Sequence, residues 1–434
     1  MPNVTEMIND KSISALKKAK WTSHFNRPLY KDYAFSSIPD TVSKLLTEEG
    51  KNFLSEDVVG GSYQKFDAAI LFLIDAFGWK FFEGYQGKYP FLSRFEKEGV
   101  ASKISSQFPS TTAAHVTSIN TGKEVGETGI YEWFYYEPIV DRMIAPLLFS
   151  YAGDHESATL LKDGYSPSAI FPFETLYQKL AKKGVKSFVM QQAGIAHSPY
   201  SKALLAGAEV IPFTHLVDAL DLLAEMCQKP FTVPTYIFVY FGDIDSMGHR
   251  HGITSPQFSD AVDFCWNSME NQFWQKTQSC PSKIAVMYTA DHGMCPVDPK
   301  TTLLLNNICP ELPNMVKRNE IGLPLVPAGS CRDFFMHIED KHLAEAQRLL
   351  EKQLQGTAEV VFVEELLSQG FFGSAPPSQR LKDRIGNLLI LPYLNESVFW
   401  AFEKHRFEQH FYGAHGGLTP DEMESVFLFA TVGK

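Results

Sequence analysis

The sequence predicts an α/β fold: a doubly wound, mostly parallel sheet flanked by helices, with a small α/β cap inserted late in the chain. Three observations predict it. Short continuous apolar runs rich in Val, Ile, Leu and Phe recur along the chain and read as strands buried on both faces. Stretches with helical spacing separate these runs, which is the rhythm of βαβ units. Between residues 306 and 383 the composition shifts to a proline-containing segment with its own strand–helix–strand pattern. The division this implies is a core of residues 1–305 and 384–434 around an inserted cap of 306–383.

Taken in order, residues 1–66 are polar and mixed, with a short helix expected at Thr41–Leu46 and no visible chemistry. At Ala68 the pattern changes to AAILFLID, a strand that delivers Asp75 at its carboxyl end. A helix at Phe91–Glu98 and a strand at Ala101–Phe108 follow. Phe108-Pro109-Ser110 then combines a breaker with a cap, and the helix through Thr112 ends at Gly122. Helices at Phe173–Lys183, His215–Met226 and Gln257–Gln275 alternate with strands at Val185–Gln191, Tyr236–Phe241 and Lys283–Ala290. The cap offers a strand at Asp333–Ile338, a helix at His342–Leu354 and a strand at Glu359–Val363. Ile385–Leu391 reads as a return to the main sheet, and Ser425–Ala430 as its last strand. There is no internal repeat and no low-complexity segment.

With 44% hydrophobic and 21% charged residues, the 434-residue chain has ample material for a globular core. A net charge of -11 argues against a broad basic surface for nucleic acid. It leaves a small anionic substrate open, because bound divalent cations would dominate the local field. The six cysteines are scattered without a CxxC pair and read as reduced thiols. The first twenty residues lack an apolar h-region, and no transmembrane segment is expected. The expected compartment is the cytoplasm, with export by a route lacking a cleaved signal left open; oligomeric state is not readable.

The chemistry centres on FPSTTAAHVTSINTG. The hydroxyls of Ser110, Thr111 and Thr112 gather at a helix N-terminus, where free N–H groups and the macrodipole favour an anion. A hydroxyl there is placed to attack a phosphate or sulfate ester, although in isolation an ordinary N-cap explains the motif as well. Four further sites change the balance. Asp75 ends one strand. Asp245 and His249 follow another, four residues apart and therefore on one face if the segment is helical. Asp291 and His292 end a third, and His415 sits in the glycine-rich loop GAHGG. Three Asp, three His and a hydroxyl suit two borderline-soft divalent cations, zinc first and manganese second. His251 reads as an exposed loop imidazole.

The stretches ILFLIDAFGW, FPSTTAAHVTSINTG with ETGI, DIDSMGHRHG, YTADHGM and GAHGGLTPDEM resemble, in type and order, the alkaline phosphatase superfamily and its nucleotide pyrophosphatase/phosphodiesterase branch. The resemblance implies one metal held by Asp75, Thr112, Asp291 and His292, and a second held by Asp245, His249 and His415. It makes Thr112 the nucleophile, with Thr111 as the competing hydroxyl. A metal-lowered hydroxyl pKa then permits attack on phosphorus and a phosphothreonine intermediate. The implied activity is hydrolysis of phosphodiester or pyrophosphate bonds. Two alternatives stand beside it: a phosphomonoesterase or phosphomutase, since GAHGGLTPDEM also resembles cofactor-independent phosphoglycerate mutases, and an inactive metal-binding protein.

Two departures bear on substrate. Thr128-Gly129-Ile130 stands where relatives often carry His-Gly-Ile, and Trp133 stands where nucleotide-cleaving members place an Asn that contacts the phosphoryl oxygen. Glu132 and Trp133, with Thr111, are candidate substrate contacts, and Tyr135 and Tyr136 could share the pocket. A monoester would call for an added cation, for which Lys80, Lys123 and Arg332 are candidates.

Overall fold

The computed structural model describes residues 8–402 and 407–433. In chain order its principal strands are β1 (Ala68–Ile74), β2 (Val100–Ser105), β3 (Lys186–Gln192), β4 (Glu209–Phe213), β5 (Thr235–Phe241), β6 (Ile284–Thr289), β7 (Ala328–Gly329), β8 (Phe334–Met336), β9 (Ala358–Phe362), β10 (Leu388–Pro392) and β11 (Glu424–Val432). β1 to β6 and β11 form a seven-stranded sheet in the order β2-β11-β6-β1-β5-β3-β4. β11 runs antiparallel to both of its neighbours, and the other six strands share one direction. The expectation of a mostly parallel sheet between helices therefore holds.

β1 explains why a continuous apolar run was needed at the centre. All seven of its residues are buried. Ile70, Phe72 and Ile74 pack with Phe91, Leu220, Trp266 and Trp274 on one face. Ala69, Leu71 and Leu73 pack with Val42, Leu45, Ile119 and Tyr177 on the other. A strand covered by helices on both sides has no position for a polar side chain until it leaves the sheet. The first polar residue of β1's run is Asp75.

Register then brings the acids together. Leu73 lies opposite Tyr240 of β5 and Thr289 of β6. Two residues further on, Asp75 and Asp291 leave adjacent strands side by side, and the chain after β5 turns into the helix Asp243–His251. The carboxyl edge of a parallel sheet is where such folds bind ligands.

One strand was misplaced by the sequence. Ile385–Leu391 does not return to the main sheet; β10 pairs with β8 and β9 in a separate four-stranded antiparallel sheet, order β7-β8-β10-β9. All five residues of β10 are buried, and a buried apolar strand reads alike in either sheet. The second sheet thus draws on residues 328–392 and crosses the boundary expected at 384. The three-stranded hairpin Tyr135–Glu137, Arg142–Ala145 and Ser150–Tyr151 was also missed.

The two sheets are clamped by one ion pair. Arg332, just before β8, has no exposed surface. Its guanidinium donates through Nε and Nη2 to the two carboxylate oxygens of Glu422 at 3.0 and 2.9 Å. Nη1 donates to the carbonyls of Tyr393, at 2.8 Å, and Glu396. Glu422, in the turn leading to β11, also accepts from the Gly417 amide and the Thr419 hydroxyl. Removing one partner of such a pair strands the other charge in the interior. Arg332→Ala is therefore expected to lose about 3–5 kcal/mol in urea unfolding, and Arg332→Lys to recover only part of it, because lysine cannot reproduce the fork.

Candidate metal centre

The helix Thr112–Thr121 starts with Thr111 as its cap: the Thr111 hydroxyl accepts from the Ala114 amide at 3.4 Å and donates to the Tyr131 carbonyl at 2.7 Å. Ser110 is likewise engaged, donating to the Gly417 carbonyl and accepting from the Gly416 amide. Thr112 Oγ1 differs. It lies 3.2 Å from His292 Nε2 and 3.5 Å from Asp75 Oδ1. Buried His115 braces this turn, with Nε2 accepting from the Gln107 amide and Nδ1 facing the Thr111 carbonyl at 2.7 Å.

Two donor triads meet beside Thr112. Asp75, Asp291 and His292 form one, and Asp245, His249 and His415 the other. In the first, His292 Nε2 is 3.2 Å from Asp291 Oδ2 and 3.5 Å from Asp75 Oδ1. In the second, Asp245 Oδ1 is 3.3 Å from His249 Nε2 and 3.6 Å from His415 Nε2. The His292 and His415 rings stack at 3.6 Å and 16°, so the triads are adjacent. Every expected ligand position is thus brought to one place.

The donor chemistry fits divalent cations. Each imidazole has its Nδ1 against a backbone carbonyl: His249 on Gly413 at 2.7 Å, His292 on Gly293 at 2.9 Å, His415 on Ser110 at 3.0 Å. A carbonyl can only accept, so Nδ1 carries the proton and each Nε2 presents a lone pair. His249 Nε2 and His415 Nε2 then face each other at 3.2 Å, which is repulsive unless a cation takes both. Burial, with the charges of His292 and His249, holds His415 well below its ordinary pKa, the neutral form a ligand needs. Burial and the charges of Asp291 and Asp245 push Asp75 well above the usual carboxylate range. Asp245 Oδ1 and Asp291 Oδ2 are buried without a hydrogen-bond donor. Acid oxygens in this condition are costly in the absence of a positive charge.

Second contacts hold these groups. The Tyr240 hydroxyl donates to Asp75 Oδ2 at 2.5 Å, and the amides of Ala76 and His292 donate to Asp291 Oδ1. The Tyr240 contact was not anticipated, since nothing in an apolar strand marks which tyrosine points past its end. Gly416, at φ 127°, passes so close to Asp333 that a Cβ there would sit 2.5 Å from its Oδ1. His251 is exposed and outside the cluster.

A cavity of about 430 Å³ opens against the second triad and includes Thr111, Thr112, Glu132, Trp133, Asp245, His249 and His415 in its wall. The candidate substrate contacts Thr111, Glu132 and Trp133 are therefore in place, and Trp133 is 42% exposed. Tyr135 and Tyr136 do not line it. Tyr135 is buried against Tyr131 and the Arg384 guanidinium, and Tyr136 donates to Asp141. The three candidate cations are elsewhere too: Lys80 pairs with Asp421, Lys123 with Glu127, and Arg332 with Glu422. Each has a nearer carboxylate than the pocket.

Glu132 has an unexpected partner in Asp333. Burial, followed by the charge of buried Asp333 nearby, raises the Glu132 carboxyl well above its usual range. Burial raises Asp333 to about 7. A carboxyl with a raised folded pKa holds its proton more tightly when folded. Its stabilising contribution is complete below about pH 4 and is lost as pH rises toward 7. The Tm of Asp333→Asn relative to wild type is accordingly expected to rise between pH 4 and 7 and to level off above. A difference that is flat across this window would contradict the raised Asp333 carboxyl.

Comparisons with known proteins bear on the family and the fold. The family model for type I phosphodiesterase/nucleotide pyrophosphatase matches residues 69–418. Among solved structures, human ectonucleotide pyrophosphatase/phosphodiesterase 5 is similar at 16% identity and a TM-score of 0.60, covering 83% of this chain and 87% of that one. The murine protein, as an inactive threonine-to-alanine form in complex with AMP, gives 15%, 0.59 and the same coverage. Phosphonoacetate hydrolase from Sinorhizobium meliloti 1021, in complex with phosphonoacetate, gives 16% and 0.56, covering 86% and 92%. No curated protein matches the sequence. Among the described residues no helix is long and apolar enough to cross a membrane.

Proposed function

The chain belongs to the type I phosphodiesterase/nucleotide pyrophosphatase family and is a hydrolase of that type, and from this premise we propose a two-cation phosphodiesterase with Thr112 as its nucleophile. The observation that carries the reading is the position of one hydroxyl. Of the three at the helix N-terminus, Ser110 and Thr111 are committed to backbone partners, while Thr112 Oγ1 sits beside both Asp75 and His292. The inactivity of the murine threonine-to-alanine form is in keeping with a threonine in this role.

Asp75, Asp291 and His292, with Thr112, would hold one cation, and Asp245, His249 and His415 the other; zinc suits the mixed N/O set, with manganese second. When bound, the cations would lower the pKa of the Thr112 hydroxyl and offset phosphoryl charge. Thr112 Oγ1 then bonds to phosphorus as the ester oxygen opposite it leaves and takes up a proton. Water attacks the resulting phosphothreonine, the Oγ1–P bond breaks, and the second product departs. The free N–H groups of the helix start favour the anion throughout. In net terms a diester and water become a monoester and an alcohol.

Charge favours the diester over the monoester. Three aspartates and an ionised Thr112 against two divalent cations leave no net positive charge, so the second negative charge of a monoester is opposed more than the single charge of a diester. Among the described residues the cavity wall contributes no Lys or Arg to make up the difference. The substrate proposed is therefore a small phosphodiester or pyrophosphate, and the site of action proposed is the cytoplasm.

Metal analysis of purified protein, paired with turnover of bis-p-nitrophenyl phosphate and p-nitrophenyl phosphate, tests this reading. About two zinc or manganese ions per chain and faster diester cleavage are expected; absence of stoichiometric metal after reconstitution would overturn it. Thr112→Ala is expected to retain metal and to lose at least ~10³-fold in kcat, with partial rescue by Thr112→Ser. Thr111→Ala should instead lose about 1 kcal/mol of stability through the cap while turnover persists.

A further inference from the structure

Two residues beyond His292 the chain reaches Met294, which has no exposed surface and no part in the chemistry proposed above. Its thioether lies where two glycines meet. A Cβ on Gly248, the residue before His249, would stand 2.5 Å from Met294 Sδ. A Cβ on Gly413, two residues before His415, would stand 2.5 Å from the same sulfur and 2.7 Å from the Gly248 carbonyl oxygen. Neither glycine has a positive φ, so an L side chain is excluded by space and not by backbone conformation. Gly248 also sits inside the helix Asp243–His251, where glycine is a poor choice unless something must pass close. What passes close is Met294, together with the chain that carries His415.

Three segments are knitted together at this point. The short strands Cys295–Pro296 and Gly413–Ala414 pair antiparallel, with Cys295 opposite Ala414. The Val297 amide donates to the Tyr412 carbonyl at 3.0 Å, and the Tyr412 amide donates to the His249 carbonyl at 2.8 Å. The Gly413 carbonyl is the acceptor for His249 Nδ1. The aim of both imidazoles of the second triad therefore follows from how closely Gly248 and Gly413 approach, and Met294 Sδ is the stop between them. Its own position is inherited from the first triad. The Gly293 amide donates to the Glu422 carbonyl at 2.9 Å, and a Cβ on Gly293 would overlap the Asp421 carbonyl oxygen, so the link from His292 to Met294 has little room to shift. A thin, unbranched thioether suits a gap between two bare Cα atoms, and a β-branched side chain does not.

Resting on the two-cation reading above, we propose that Met294 is a positioning residue for the second cation site. Wedged between Gly248 and Gly413, it fixes the separation of His249 from His415 and ties both to the strand end that carries Asp291 and His292. The affinity of the second triad depends on this contact. That of the first does not, because its side chains are held by Tyr240, the Ala76 amide and the Gly293 carbonyl. A residue that merely fills the core would lower stability without distinguishing the two sites.

Zinc affinity at each site, read by competition with a chelator in the full chain, tests the assignment. Asp291→Ala leaves the second triad as the single intact site, and His415→Ala leaves the first. Adding Met294→Ala is expected to weaken zinc roughly 10-fold in the Asp291→Ala protein and to leave it unchanged in the His415→Ala protein. Met294→Leu, close to methionine in volume, should recover part of the loss. A fall at both sites, or at neither, overturns the proposal. Gly248→Ala covers the case in which Met294→Ala does not fold. Its methyl would have the side chains of Met294 and Phe258 as nearest neighbours, and in the Asp291→Ala protein it too should weaken zinc. Unchanged affinity there, with the methionine simply moving aside, overturns the proposal as well. Wild-type protein that holds two zinc ions while these substitutions are silent sinks only the role of Met294. Wild-type protein that holds none sinks the two-cation reading and the role with it.

Discussion

The constraint on which the structure turns is electrostatic. Asp75, Asp245 and Asp291 are brought within a few ångströms of three imidazoles whose Nε2 lone pairs face inward. Carboxylates and lone pairs gathered in a buried space repel one another, and the interior offers little solvent to screen them. Such a cluster persists because the surrounding backbone over-determines it. Each imidazole is tied through Nδ1, two amides fix Asp291, and Tyr240 fixes Asp75. The fold stores the repulsion, and a positive charge relieves it.

That tension explains the division of labour between the sheets. The parallel sheet supplies Asp75 and Asp291 from neighbouring strand ends, where register fixes their spacing, and the helix after β5 supplies Asp245. It cannot supply His415, which lies on a connection far along the chain. The loop carrying His415 is held from the other side: Ser330 Oγ reaches the His415 carbonyl, the Gly417 amide donates to Glu422, and Arg332 fixes Glu422. The clamp between the sheets is thus also the support of one triad member. A buried ion pair is an expensive way to join two layers, but its forked geometry sets the loop's position as an apolar contact would not.

What could be read in the sequence follows from what one-dimensional patterns encode. The parallel core was legible because burial on both faces removes every charged residue from β1, β5 and β6. Asp75 and Asp291 were legible because they are the first charged residues after β1 and β6. The helix start at Thr112 was marked by Phe-Pro-Ser and closed by Gly122. Partner choice was not legible. β10 is as apolar as β1, and only its register with β8 and β9 assigns it to the second sheet. Arg332 looked available for a phosphate because no local signal announces Glu422, ninety residues away. The Glu132–Asp333 pair was hidden for the same reason: two acids two hundred residues apart read as solvated charges until the fold buries both.

The same separation bears on how specificity arises here. Of the two triads and Thr112, Asp75, Asp291 and His292 follow strand ends, Thr112, Asp245 and His249 lie on helices, and only His415 lies on a connection. The aromatic part of the cavity wall comes from residues 132–134 and 407–411, on connections, and from Phe399 of the short strand Val398–Phe399. Connections tolerate substitution more readily than sheet strands because fewer contacts depend on them. Trp133 stands in the wall without displacing a donor of either triad. A core that supplies charge for any phosphoryl group, beside a wall that reads only the substituent, allows chemistry to stay fixed while the substrate changes.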